Sequence, residues 1–237
     1  MNTGYTIYSI FDDSVIVMFE GDFSRETVRK MYHAARKMNE RMLPGISEIV
    51  PSFTTLTVYY DPEKVGGKNP EETVQNWIQN IMEETDAAAK DEARRIQLPI
   101  CYDPEIAPDL MKVAKQNRLS VDEIIQIHTN EQYFISFIGF SLHIPFIGGN
   151  NHRIAVEKKL TQNIHLPVGS VGISESKTGI YPVKTTGEWQ IIGRTPQNIF
   201  QKIVSFGQPG DEVKFIPIPL DTFAELCHHP DDWKFAV

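Results

Sequence analysis

Three polar side chains suited to holding a ligand occur close together in the chain: Thr178, Gln190 and Arg194. A threonine hydroxyl and a glutamine amide make neutral hydrogen bonds, whereas the guanidinium of arginine presents a planar fork of donors that fits a carboxylate or a phosphate. Arg194 stands in the sequence GRTP, a context that fixes its backbone and leaves its fork free to hold an anion, and the alternative is an arginine that braces a loop. Thr178 and Gln190 are equally suited to contacting the ligand and to capping turns.

A fourth candidate, His128, has the side chain that most readily changes its charge near neutral pH. It falls in the last turn of a helix that the capping-box pattern at Ser120 and Glu123 predicts. Two interpretations stay open. One is a ring at the mouth of a pocket, and the other is a histidine whose charge suits the negative end of the helix dipole.

No self-contained catalytic motif accompanies these four residues. The sequence has no Walker A pattern, no GxSxG elbow and no HExxH. We expect no metal site, because other histidines show no metal-ligand spacing with cysteine or aspartate. These histidines are His143, His152, His165, His228 and His229. Any active site is therefore expected to be completed by another polypeptide.

The stretch at residues 166–196 supplies the elements that must position Thr178, Gln190 and Arg194. Its glycines interrupt short runs rich in valine and isoleucine, a pattern typical of short strands in a closed or nearly closed sheet. Trp189 and Tyr181 are interpreted as packing residues, because large aromatic side chains dominate cores and the contacts between subunits.

Residues 1–90 are predicted to form a small α+β domain. Two strand-like runs within residues 5–19 are separated by turn-forming residues, which predicts a hairpin. Helices are predicted to begin at the caps Ser24 and Asn69, and an alternating strand at residues 53–60 separates them.

A second domain is predicted at residues 91–237. The polar stretch at residues 85–95 lacks an apolar face and marks the boundary. A strand at residues 98–102 and two short helices come next, and residues 132–218 show no convincing helical period, so we expect strands and turns there. The predicted fold class is α+β.

Composition limits the possible partners and location. The chain has 237 residues, of which 41% are hydrophobic and 23% charged, as in ordinary soluble domains. A net charge of −8 without a run of lysine or arginine argues against nucleic acid and membrane surfaces as partners. Two distant cysteines, Cys101 and Cys227, are expected to be reduced thiols. Without a signal-peptide or membrane-spanning pattern, the expected location is the cytoplasm.

Several motifs give nearly the whole chain a family resemblance. The most specific are GSVGI, TGIYP, GEWQIIGRTP and PGDEVKFIPI. They resemble the B subunit of the bacterial ATP-dependent 5-oxoprolinase, a family that also holds the KipI-type sensor-kinase inhibitors and is named allophanate hydrolase subunit 1. The resemblance implies a C-terminal cyclophilin-like β-barrel. The GF motif at residues 139–149 departs from the family pattern, because Leu142 replaces its proline and His143 its glycine.

The resemblance implies a non-autonomous enzyme component. It would work with the C subunit of 5-oxoprolinase, and with the A subunit for the full reaction, in a complex that uses ATP to open 5-oxo-L-proline to L-glutamate. In that scheme Arg194 would hold the substrate carboxylate or a phosphate. His128 would act as acid or base, and Gln190 and Thr178 would orient the substrate ring. Two alternatives stay open: an inhibitor that docks on a sensor histidine kinase, which needs an exposed apolar patch, and a component of urea or allophanate metabolism.

Overall fold

The chain divides into two compact units, Met1–Glu92 and Ala93–Val237. We expected the division after residue 90, within the polar stretch at residues 85–95. Thr85 instead lies inside a helix, where its buried hydroxyl donates to the Ile81 carbonyl at 2.7 Å. The structure is a computed structural model that describes residues 4–21, 24–88, 94–138, 145–149, 151–161, 163–175 and 177–234.

The structure describes four strands and three helices in the first unit. These are β1 (Tyr5–Phe11), β2 (Ser14–Phe19), α1 (Arg25–Glu40), β3 (Ile46–Ser52), β4 (Thr55–Tyr60), α2 (Pro62–Val65) and α3 (Pro70–Ala88). The strands form an antiparallel sheet in the order β1-β2-β4-β3. The predicted hairpin is confirmed as β1 and β2, whereas β3 and α2 were not predicted.

One face of this sheet packs against the two long helices. Ser24 caps α1 as predicted, accepting a hydrogen bond from the backbone N–H of Thr27 at 3.2 Å. Alternation along β2 turns Val15 and Val17 toward the helices, where both are fully buried. In the part of this unit that the structure describes, α1 and α3 pack on that face, and side chains on the opposite face, such as Met18 and Tyr59, are more exposed.

Nine strands are present among the described residues of the second unit. These are β5 (Arg95–Cys101), β6 (Tyr133–Ile138), β7 (Pro145–Gly148), β8 (Asn163–Leu166), β9 (Ser170–Ser174), β10 (Lys177–Ile180), β11 (Thr185–Gly187), β12 (Gln190–Arg194) and β13 (Glu212–Ile218). Seven of them close into a barrel in the order β10-β7-β6-β13-β5-β12-β9, and β8 pairs with β11. The predicted α+β class with a C-terminal β-barrel is confirmed.

Where the second unit is described, it has four α-helices: α4 (Leu110–Asn117), α5 (Val121–Asn130), α6 (Gln197–Phe206) and α7 (Leu220–His228). The capping box at Ser120 and Glu123 is present at the start of α5. The expectation of strands and turns throughout residues 132–218 is wrong, because α6 lies within them. This helix is short, and its buried Ile199 and Phe200 are equally typical of a strand. Within the described residues, no helix has the length and apolar character needed to cross a membrane.

Candidate functional site

Thr178 and Gln190 face the same side of the barrel wall. Cross-strand pairing aligns Ile147 with Thr178, Thr178 with Ile173, and Ile173 with Gln190, so these four residues form one row across β7, β10, β9 and β12. All four are buried, and the two isoleucines belong to the core of the second unit. The row therefore points into the barrel.

The polar atoms of this row are enclosed by protein. Gln190 Nε2 donates to the Glu157 carbonyl at 3.1 Å, while Gln190 Oε1 and the Thr178 hydroxyl are buried without a partner among the described residues. Burial raises the pKa of the Tyr133 phenol, and the neighbouring Thr178 hydroxyl opposes this rise. The Tyr133 and Thr178 oxygens nevertheless do not meet hydrogen-bond geometry. Thr178 and Gln190 are thus enclosed within the barrel, and the convergence of Thr178, Gln190 and Arg194 on one ligand stays a prediction.

His128 lies in the last turn of α5, as predicted, but its ring is completely buried. The ring stacks on Phe215, with centroids 4.8 Å apart and planes 6° apart. Its Nδ1 lies 2.7 Å from the hydroxyl of Tyr102, and Nε2 has no partner among the described residues. The interpretation of a ring at a pocket mouth is therefore wrong.

Burial also decides the charge of His128. It lowers the pKa of the ring from 6.5 to about 3, because the charged form loses its hydration in an aromatic environment. A ring that is neutral at physiological pH adds no charge at the end of α5, so the helix-dipole interpretation fails as well. His128 is therefore a neutral, buried residue in this structure, and its role as acid or base stays a prediction.

Arg194 braces a neighbouring loop through its Nε, and its two Nη groups form the other edge of the guanidinium, called here the Nη edge. Its Nε donates to the Val168 carbonyl at 3.0 Å, and its guanidinium carbon lies 5.6 Å from the centre of the Phe223 ring. No carboxylate of the described residues pairs with it, and the residue is half-buried. The bracing alternative is thus present, and the two Nη groups stay available for an anion.

A mostly apolar hollow of about 190 Å³ lies on the same barrel strands. Its lining consists of Phe146, Gly179, Ile180, Tyr181 and Trp189. Phe146 pairs with Gly179 across β7 and β10, and Gly179 pairs with Gly172 across β10 and β9. Because neighbouring residues of a strand alternate, this row lies on the face opposite Thr178.

Two glycines make room for the Trp189 side chain. A Cβ at Gly179 would lie 2.7 Å from Trp189 Cζ3, and one at Gly172 would lie 3.0 Å from Trp189 Cβ. Our interpretation of Trp189 and Tyr181 as packing residues therefore missed that both line a hollow. The sequence did carry an indication of this hollow, because small residues alternate with larger ones in GSVGI and TGIYP, and glycine in a strand marks a place where another group approaches closely.

The aspartate of the PGD motif, Asp211, has a structural role. It accepts hydrogen bonds from Arg94 Nη2 at 2.8 Å and from the backbone N–H of Gln208 at 2.8 Å. Its side chain is 8% exposed. The pair ties the start of β5 to the start of β13. The altered residues of the GF motif, Leu142 and His143, lie outside the described residues.

Comparison with solved structures shows that other proteins have the same fold. A conserved uncharacterized protein of Pyrococcus horikoshii is 32% identical, with a TM-score of 0.52 over 92% of this chain and 100% of that chain. The urea carboxylase of Kluyveromyces lactis is only 14% identical and shares the fold alone. The match has a TM-score of 0.63 and covers 98% of this chain and 23% of that chain.

Sequence comparison identifies the family. The profile described as "Carboxyltransferase domain, subdomain C and D" matches residues 5–205. A protein of Bacillus subtilis (strain 168), named as the B subunit of 5-oxoprolinase, is 37% identical over 228 residues, which cover 92% of this chain and 95% of the relative. The chain therefore belongs to the carboxyltransferase domain, subdomain C and D family, alongside curated 5-oxoprolinase B subunits.

Proposed function

We propose that the chain is the B subunit of a cytoplasmic, ATP-dependent 5-oxoprolinase that opens 5-oxo-L-proline to L-glutamate. The observation that carries this proposal is the 37% identity to a 5-oxoprolinase B subunit over 92% of this chain and 95% of the relative. Similarity along both full chains supports the same role more strongly than a match to one shared domain does.

The chemistry explains why ATP is needed. A lactam amide is stable, so transfer of the γ-phosphoryl group to the lactam oxygen turns that oxygen into part of a leaving group. Water then adds to the activated carbon and the carbon–nitrogen bond breaks, which leaves a free amine and an acyl phosphate. A second water hydrolyses this acyl phosphate to a carboxylate and inorganic phosphate. The sequence of this chain has no phosphate-binding motif of its own. We therefore assign ATP binding to the complex with the C and A subunits.

Arg194 is the residue to which we assign anion binding in this chain. Its Nε is held by the Val168 carbonyl, which orients the guanidinium. The unused Nη edge fits the carboxylate of 5-oxoproline or a phosphate group. Thr178, Gln190 and His128 have no direct contact with the ligand in this proposal, because all three side chains are buried. They support the barrel behind the binding surface.

The decisive experiment is recovery of the complex from the native cell with this chain as bait, followed by an assay of 5-oxoproline-dependent ATP hydrolysis. We expect activity in the assembled complex and none in the purified chain. Full turnover by the chain alone would contradict a non-autonomous role. A recovered complex that hydrolyses urea or allophanate instead would favour a component of urea or allophanate metabolism.

One observation favours a second candidate, a KipI-type inhibitor of a sensor histidine kinase. The face of the first sheet opposite α1 and α3 carries Tyr8, Met18 and Tyr59, which are 39%, 41% and 40% exposed. Pairing of β1 with β2 and of β2 with β4 places these side chains on one face. Such an apolar surface is what docking on a kinase requires. Inhibition of kinase autophosphorylation by the purified chain, lost on Tyr59→Ser, would support this candidate.

A further inference from the structure

Asp109 occupies the N-cap position of α4, yet its side chain does not cap that helix. Its Oδ2 instead accepts a hydrogen bond from the backbone N–H of Ile191 at 2.7 Å and lies 2.5 Å from Nζ of Lys159. The Asp109 and Lys159 side chains are only 11% and 12% exposed. This ion pair therefore joins α4, β12 and the segment that contains Lys159.

The same segments are linked on both sides of Trp189. Before it, the Glu188 carbonyl accepts a hydrogen bond from the backbone N–H of Lys159 at 2.7 Å. After it, Gln190 Nε2 donates to the Glu157 carbonyl at 3.1 Å, and Ile191 is bound by Asp109. The backbone on either side of Trp189 is thus fixed by residues that are distant in sequence.

The ion pair itself is not part of the lining of the hollow. A buried ion pair contributes little net stability over apolar replacements, but it can fix a single arrangement of the groups that it joins. We propose that Asp109 and Lys159 are positioning residues that hold Trp189 in place as the aromatic wall of the hollow. This role is independent of the reaction or the partner that the chain serves.

The test observes Trp189 directly. With Trp77→Phe and Trp233→Phe in the full chain, Trp189 is the one remaining tryptophan. Asp109→Leu combined with Lys159→Met removes both charges together, so that no buried charge is left without a partner. We expect a folded chain by circular dichroism, a shift of Trp189 emission to longer wavelength, and stronger quenching by acrylamide.

A second ion pair of the same unit provides the matched control. Arg94→Met with Asp211→Leu removes a pair in which the side chains are 34% and 8% exposed and which does not bond to β12. This control should leave the emission of Trp189 unchanged. An equal shift in the control would mean general loosening of the barrel and would overturn the positioning role.

Asp109→Asn covers the case in which the double variant fails to fold. Its amide oxygen can still accept from the Ile191 N–H while its bond to Lys159 is weakened, so we expect a smaller shift in the same direction. Unchanged emission and quenching in a folded variant, double or single, would show that the pair does not position Trp189.

Discussion

The hydroxyl of Tyr102 lies 2.7 Å from Nδ1 of His128, in a core where both side chains are buried. This bond connects the end of β5 with the last turn of α5. Burial in the same core raises the pKa of Tyr102 and lowers the pKa of His128, so both partners are neutral at physiological pH. The contact is a neutral hydrogen bond and not an ion pair.

His128 is expected to make the stability of the chain depend on pH. Its folded pKa of about 3 lies below the ordinary value of 6.5, so the unfolded chain binds a proton that the folded chain does not. The contribution of the neutral ring to the free energy of unfolding is therefore complete above pH 6.5, and it is lost as the pH falls toward about 3. His128→Phe retains the stack on Phe215. It should reduce the slope of the free energy of unfolding against pH by up to ~1.4 kcal/mol per pH unit.

Urea unfolding at a series of pH values measures this slope. His165→Gln, at an exposed histidine, serves as the control substitution. The same slope in His128→Phe as in the parent would contradict a buried, neutral ring.

Arg194→Lys should affect both stability and binding. Lysine keeps the charge but loses the Nε bond to the Val168 carbonyl, which we expect to lower stability by ~1 kcal/mol. If the Nη edge holds an anion, affinity for 5-oxoproline or ATP in the assembled complex should also fall by ~1–3 kcal/mol. Calorimetry on the complex measures both effects, with the exposed Arg153→Lys as control. Undiminished affinity would restrict Arg194 to its bracing role.

Asp211→Ala should destabilise the barrel by ~2–4 kcal/mol, because it removes the carboxylate that accepts from Arg94 Nη2 and from the Gln208 N–H. The neighbouring pair of Arg95 and Glu212 joins the same two strands, but the Arg95 side chain is 80% exposed. Glu212→Ala should therefore lower the free energy of unfolding by less than ~1 kcal/mol. Urea denaturation of the two variants compares them directly, and equal losses would argue against a special role for the PGD aspartate.

Gly179→Ala should displace the ring of Trp189. The backbone of Gly179 does not have a positive φ, so the expected cost of ~1–3 kcal/mol arises from the contact with the ring alone. In Gly172→Ala the new Cβ would lie 3.0 Å from Trp189 Cβ, a longer contact than at Gly179, so this variant should lose less stability. Thermal unfolding together with Trp189 fluorescence checks both variants. A larger effect at Gly172 would mean that the ring does not lie over Gly179 as described.

Limited trypsin digestion tests the domain boundary. The division between Glu92 and Ala93 predicts cleavage at Lys90, Arg94 or Arg95 and release of two compact pieces. Mass spectrometry of the fragments locates the cut. Early cleavage elsewhere, with residues 85–95 intact, would favour one continuous domain.

The sequence by itself determined the features that depend on neighbouring residues. Ser24 and the capping box of Ser120 and Glu123 act within one helical turn, so their residue types predict the helix starts directly. The hairpin of β1 and β2 is equally local. The barrel was expected from the glycine-interrupted runs and from the family resemblance, and the closed strand order confirmed it.

Tertiary structure decided which polar residues reach the surface. Burial of His128, Thr178 and Gln190 depends on contacts with strands and helices distant in sequence, and a local pattern does not contain that information. The Nδ1 of His128, for example, bonds to Tyr102 of another element. Trp189 lines a hollow only because closure of the barrel brings Gly179 beneath its ring. The sequence therefore determined the helix starts, the first hairpin, the barrel class and the family, whereas long-range packing decided how the side chains are exposed.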